Sequence, residues 1–362
     1  MSFIPIYEPW IASTQEKNVN ACIRENWISS LGRFINTFET NLCEYTNALA
    51  LTTCSNGTSA LHLALLALGL KEGDEILAPS FAYVAAVNAI SYVRATPRFV
   101  DIDPLTWNIS PTDAEKKISS KTKAIICVHT YGVPCDMMAF RDLADRNNLF
   151  LIEDCAEALG SFQGGKHIGT TADVSTFSFF GNKTITTGEG GAVSSRDPDI
   201  IARVNRLKNQ GLVQRGGYDH DIVGYNYRMT NIQAAIGVAQ LDEVRKILDL
   251  KRKIADRYRR DLIDLAKFQI SNTQQCSNWI TTIKLDSIER TQTVYKALKR
   301  NNIDVRPGFS PVDQMPMYKN EPMLPRTHEL IDRLLCLPSY PGLTEDQQTR
   351  VIEAITDDFG PK

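Results

Sequence analysis

Lys183 lies in SFFGNKTITTGEGGAV (178–193), among hydroxyls and glycines and directly behind an apolar run that reads as a buried strand. No carboxylate stands within four residues on its N-terminal side, so the ammonium has no local partner. Three earlier segments supply groups that such a lysine could work with. CSNGTSALHL (54–63) sets Asn-Gly-Thr-Ser at the start of an apolar helix, where free N–H groups and the positive dipole end favour an anion such as a phosphate. Gly57 permits close approach and Thr58 adds a hydroxyl, although the same residues also suit an ordinary N-cap. LFLIEDCAEALG (149–160) ends an apolar strand on Glu153 and Asp154, and Asp154 at that edge suits a cationic ring nitrogen, a helix cap or plain solvent equally well. PSFAYVAAVNAI (79–90) carries Phe81 and Tyr83 two residues apart, one able to stack on a planar ring while the other enters the core, unless both are core. Ser178 offers a second hydroxyl for an anion, and Gly188, Gly190 and Gly191 bring the chain back; taken alone, Lys183 reads as a solvated loop lysine. Together, an anion-binding helix start, an acidic strand end, an aromatic plate and a loop lysine are what pyridoxal 5′-phosphate requires. The phosphate needs donors, the pyridine nitrogen a carboxylate, and the aldehyde an amine.

These groups need a scaffold that brings strand ends to one place. Short β-branched runs at 74–80, 96–102, 123–130, 149–155, 174–180 and 190–195 have little polar interruption, which suits strands buried on both faces of a mainly parallel sheet. Helical patterns at 57–69, 81–92, 136–147 and 197–209 fall between them, the first with Leu61, Leu65 and Leu68 on one stripe. The expectation is a three-layer α/β domain. From Asn231 the pattern stays helical for over twenty residues and bridges to a smaller C-terminal α+β part, giving a large domain over 1–245 and a small one over 246–362. The glycine-rich stretch 209–226 reads as a long loop of the kind that covers a site, or as a solvated surface loop.

Composition narrows the field. The chain has 362 residues, 43% hydrophobic and 23% charged, with a formal net charge of −2. That is ordinary for a globular protein, and no basic run is dense enough to argue for nucleic acid. No apolar stretch approaches the ~20 residues of a membrane span and no signal peptide opens the chain, so a cytoplasmic location is expected. The eight cysteines are scattered without CxxC and the five histidines without HExxH, which leaves metal chemistry and a disulfide framework without a basis.

At these residues the chain resembles the DegT/StrS family of sugar aminotransferases, which have the type I aspartate aminotransferase fold. The resemblance runs from WISSLG (27–32) through SNGTSALHLAL, IEDCAEALG, FSFFGNKTITTGEGG and GYNYRMTNIQAAIG (224–237) to RPGFSPVDQMPMY (306–318). It implies that Lys183 binds the cofactor aldehyde, Asp154 pairs with the pyridine nitrogen, Tyr83 stacks on the ring, and Gly57, Thr58 and Ser178 hold the phosphate. Glu157 falls where the family keeps a polar side chain near the cofactor. Asn226 would reach the phosphate of the neighbouring subunit, which implies a homodimer with shared sites. Trp27, Ser29 and Ser30 are carried over as sugar contacts; Arg215, Tyr218 and His220, in the 209–226 stretch, suit contact with the sugar or the diphosphate and a solvated surface loop equally well. Within the family the chain is most similar to the branch that aminates C4 of GDP-4-keto-6-deoxymannose with L-glutamate as donor. A related branch makes viosamine from dTDP- or UDP-4-keto-6-deoxyglucose. Asp313 stands where that first branch is expected to have histidine, which bears on the sugar and on the base. Dehydratase relatives carry histidine in place of the lysine, so Lys183 argues against that chemistry, and a cofactor-binding regulator would not need the complete set.

Overall fold

A computed structural model describes residues 2–214, 217–319 and 323–357. Its main sheet is built from β1 (Ala50–Cys54), β2 (Glu75–Pro79), β3 (Thr96–Val100), β4 (Thr122–Val128) and β5 (Phe150–Asp154). A small hairpin, β6 (Phe162–Gln163) and β7 (Lys166–His167), stands apart, and β8 (Val174–Ser178) and β9 (Gly191–Ser195) complete the seven strands. Their order is β1-β9-β8-β5-β4-β2-β3. The pairs β2/β3, β2/β4, β4/β5 and β5/β8 are parallel, while β9 runs antiparallel to both β8 and β1. One reversed strand in a parallel sheet is what the lysine loop makes, since it leaves β8 and returns directly as the neighbouring β9. The sheet is mainly parallel and buried, as its apolar runs imply.

Seven helices flank it in sequence: α1 (Ser13–Arg24), α2 (Arg33–Thr46), α3 (Gly57–Ala67), α4 (Ala85–Tyr92), α5 (Pro111–Lys117), α6 (Met137–Asn147) and α7 (Pro198–Lys208). Residues 81–84, expected to be helical, instead form the turn before α4. That turn sends Phe81 into the core and leaves Tyr83 exposed. The long helical run divides into α8 (Asn231–Asp242) and α9 (Val244–Leu262), because Glu243 sits at φ −94°, ψ −2° between them. Beyond α9 lies a second, antiparallel sheet of β10 (Lys267–Phe268), β11 (Thr281–Lys284), β12 (Arg306–Pro307) and β13 (Leu334–Leu337), in the order β10-β11-β13-β12. It is covered by α10 (Ile288–Arg300) and by α12 (Glu345–Thr356), which follows α11 (Pro325–Ile331). The start of the chain also joins this part, with Ile4 bridging Ile303 and buried in the same apolar cluster. Among the described residues no helix is long and apolar enough to cross a membrane.

Candidate active site

The carboxyl edge of the main sheet carries the chemistry. Asp154 closes β5, Ser178 closes β8, and β1 runs out into the turn that starts α3. At that start Asn56 and Ser59 form a capping box: Asn56 Oδ1 accepts from the Ser59 N–H at 2.8 Å and Ser59 Oγ accepts from the Asn56 N–H at 3.1 Å. The box leaves the amides of Gly57 and Thr58 outside it. Glycine is required at 57 by packing, since a Cβ there would stand 2.7 Å from Ser178 Cβ and 2.9 Å from its Oγ. The helix start and the Ser178 hydroxyl therefore abut, and they form one wall of a cavity of about 570 Å³. Tyr83, Asp154, Glu157 and Lys183 line the same cavity.

The charged groups in it are largely shut off from water. The Asp154 carboxyl is buried, and burial raises its pKa despite the Ala156 N–H donated to Oδ1 at 3.0 Å and the nearby Lys183. Glu157 is more perturbed: burial pushes it up to about 7, against the opposing pull of Lys183 and of the Tyr131 N–H donated to Oε2 at 2.7 Å. Its Oε1 lies 3.8 Å from Lys183 Nζ. Behind Asp154, Glu153 is fully buried yet held ionised, because His129 and the amides of Gly169 and Ala172 outweigh the cost of burial. This pins the strand end on which Asp154 stands.

Lys183 itself is gripped by residues that nothing in its local sequence announces. Its carbonyl accepts from Tyr7 Oη at 2.6 Å, and its Nζ sits 4.2 Å from the centroid of the Trp279 ring. Trp279 Nε1 donates to the neighbouring Asn182 carbonyl at 2.6 Å. Phe309 completes this side, 6.0 Å from the ring of Tyr83. Trp279 and Phe309 come from the C-terminal part; Phe309 stands in the RPGFSPVDQMPMY stretch but drew no role there, and Trp279 is signalled only by a rare tryptophan just before a strand.

The remaining expected residues lie elsewhere. Ser29 and Ser30 line a second cavity of about 580 Å³ with Glu39, Lys208 and Arg228. Trp27 is exposed nearby, its carbonyl accepting from Asn231 Nδ2 at 2.7 Å. Asn226 is exposed, accepts from Arg228 at 3.1 Å and does not line the Lys183 cavity. Asp313 is fully buried and also outside that cavity; its oxygens meet Ser80 Oγ, Gln314 Nε2 at 2.8 Å and His328 Nε2 at 3.3 Å. Its carboxylate thus ties β2's exit to the C-terminal part. Arg215 lies outside the described residues. The described residues of the 209–226 stretch form an irregular return closed by bridges Asn209–Asn226 and Leu212–His220, with Tyr218 almost fully exposed.

A lysine on a loop between two buried strands, two buried carboxyls and an anion cradle at a helix start define an α/β enzyme equipped for amine and carbonyl chemistry. Comparison with known proteins makes this specific. The sequence profile of the DegT/DnrJ/EryC1/StrS aminotransferase family matches residues 9–356, and the chain belongs to that family. It is 46% identical to the GDP-perosamine synthase of Escherichia coli O157:H7, over all of both chains. It is also 46% identical to the GDP-perosamine synthase of Vibrio cholerae, over 98% of this chain and 99% of the other. Among solved structures, the pyridoxal phosphate form of the putative sugar aminotransferase Spr1654 from Streptococcus pneumoniae superposes with a TM-score of 0.92 at 26% identity, covering 99% of this chain and 98% of that one.

Proposed function

We propose that the protein transfers the amino group of L-glutamate to C4 of a nucleotide-linked 4-keto-6-deoxyhexose, converting GDP-4-keto-6-deoxymannose to GDP-perosamine with pyridoxal 5′-phosphate as cofactor. The observation that carries the reaction class is the single cavity in which Lys183, Glu157 and Asp154 meet the start of α3. Full-length similarity to two GDP-perosamine synthases supports the choice of sugar.

The residues fit the cofactor. Gly57 and Ser178 abut so closely that a Cβ at 57 would force the Ser178 side chain aside, and with Thr58 this wall would supply hydroxyl and amide donors for a phosphate. Asp154, buried at the strand end, would face the pyridine nitrogen and favour its protonated form, while Tyr83 would cover the ring. Bound there, pyridoxal phosphate supplies an aldehyde that accepts the amino group and a ring that draws electrons from the reacting carbon. Lys183 Nζ would hold the aldehyde and, when free of it, would be the acid and base that carries the proton. Glu157, 3.8 Å away and poised near neutrality, can share that proton.

The partners follow from where the other residues lie. Asn226, Arg228, Ser29 and Ser30 gather on a face away from the chain's own Lys183, held together where the Asn231 N–H donates to the Ser29 carbonyl at 2.6 Å. In a homodimer with shared sites, this face of one subunit would complete the site of the other, with Asn226 on the phosphate and Trp27, Ser29, Ser30 and Arg215 toward the sugar. We assign cofactor binding to a large domain over 1–245 and closure of the site to a small domain over 246–362, in a cytoplasmic enzyme. Asp313, enclosed by Ser80, Gln314 and His328, acts on the substrate only through the backbone it fixes.

The test is to mix the pyridoxamine form separately with GDP-4-keto-6-deoxymannose and with dTDP- and UDP-4-keto-6-deoxyglucose. Absorbance reports the return of the pyridoxal form, and mass and NMR identify the product. Fastest conversion of the GDP sugar, aminated at C4, is expected. Preference for a glucose nucleotide would move the assignment to viosamine, and conversion of none would overturn the substrate class.

A further inference from the structure

Lys183 has to be free of the cofactor for half of any transamination cycle, and a lysine has four rotatable bonds with which to wander. Three contacts limit that freedom. Tyr7 Oη holds the Lys183 carbonyl at 2.6 Å, Trp279 Nε1 holds the Asn182 carbonyl at 2.6 Å, and the Trp279 ring lies under Nζ at 4.2 Å. An ammonium over an indole face is attracted by the ring quadrupole, more strongly when both are desolvated. Here the indole is 7% exposed.

The plate is itself immobile. Its ring lies nearly parallel to those of Tyr131 and Phe309, at 19° and 24°. Its carbonyl accepts from Lys251 Nζ at 2.9 Å, and that lysine, 1% exposed on α9, also donates to the Ser339 carbonyl at 2.6 Å. Lys251 lies outside the Lys183 cavity, and nothing in the reaction calls on it. Its two carbonyl partners give this buried amine a structural purpose: they set Trp279 just before β11, facing the lysine loop of the other sheet.

We propose that Trp279 is a positioning residue for Lys183. Its N–H fixes the loop and its ring holds the free ammonium in one place whenever the lysine is not bonded to the cofactor, with Lys251 setting the indole. This rests on the reading of Lys183 as the cofactor lysine.

The experiment measures acetylation of Lys183 by an amine-reactive ester in the pyridoxamine form, quantified by peptide mass spectrometry, with the pyridoxal form as control. In Trp279→Leu the ammonium loses its plate, and labelling of Lys183 should rise about tenfold while other lysines label as before. Affinity of the stripped enzyme for pyridoxamine phosphate, which needs no bond to the lysine, should not change. In turnover, kcat should fall about tenfold with KM for glutamate little altered, and Trp279→Phe, which keeps a ring but no N–H, should lie between. Lys251→Met should reproduce part of the effect from outside the cavity. Wild-type labelling in Trp279→Leu, or a rise shared by all lysines, would overturn the proposal. Failure of the pyridoxal form to protect Lys183 in the wild type would instead overturn the underlying assignment of the lysine.

Discussion

Glu157→Gln is the substitution whose effect can be worked out furthest. In the cofactor-free enzyme burial lifts Glu157 from 4.5 to about 7, so the folded protein keeps a proton that the unfolded chain gives up. The sign follows: stability is fully present below about pH 4.5, declines through the window up to about 7, and stays at its reduced level above it. At about 1.36 kcal/mol per pH unit, ionising this carboxyl costs the folded state about 3 kcal/mol by pH 8. No discount for solvent applies, since the side chain is 3% exposed. Glutamine keeps an oxygen for the Tyr131 N–H and never ionises, so the variant should be about as stable as the wild type near pH 4 and about 3 kcal/mol more stable near pH 8. Asp154 stands in both proteins, and its charge is one of the causes that raise Glu157. Urea unfolding of both stripped enzymes, followed by tryptophan fluorescence across that range, measures the difference directly. A gap between the two proteins that does not change with pH would refute the assignment of a raised Glu157 and, with it, the idea that this carboxyl can share the lysine's proton.

Lys183→Ala should abolish turnover and the absorbance of the bound aldehyde while leaving the circular dichroism spectrum intact; an active variant would remove the lysine from the chemistry. Asp154→Asn should lower kcat far more than it weakens sugar binding, since the proposed role of the carboxylate is on the ring rather than on the substrate, and normal turnover would mean the pyridine lies elsewhere. Gly57→Ala places a methyl 2.7 Å from Ser178 Cβ. Overpacking of this kind costs about 1–3 kcal/mol. A distortion of that cost at the phosphate wall corresponds to about a 5- to 150-fold loss of pyridoxal phosphate affinity measured by equilibrium dialysis, and unchanged affinity would show that the cradle lies elsewhere.

What could be read from the chain alone followed from proximity along it. Each anchor of the cavity sits immediately after its own strand or at the start of the next helix, so Asp154, Ser178 and Lys183 could be placed from local pattern. β1 escaped notice because ALTTC is polar; its threonines are buried only because Glu39 accepts from the Thr53 N–H at 2.7 Å and from both hydroxyls, with Lys208 closing the group. The second sheet escaped because its strands are two to four residues long, too short for any period to show. Trp279 and Tyr7 meet Lys183, and Lys251 meets Trp279, only through tertiary packing, and no spacing could have joined them. Asp313 is the converse case: a family comparison put it near the substrate, while its partners Ser80 and His328, distant in sequence, enclose it.

The reversed strand β9 has a consequence for how the polypeptide is made. β1 hydrogen-bonds to no strand of the main sheet except β9, so Ala50–Cys54 has no mate until Gly191–Ser195 has left the ribosome. At about 5–20 residues per second that wait is on the order of ten seconds. Throughout it, the nascent chain carries a bare strand edge beside a helix, α3, that is already apolar on nearly every side. Ribosome-bound chaperones should therefore matter to the yield of this protein most during synthesis of its first two hundred residues, and much less once the lysine loop has turned the chain back.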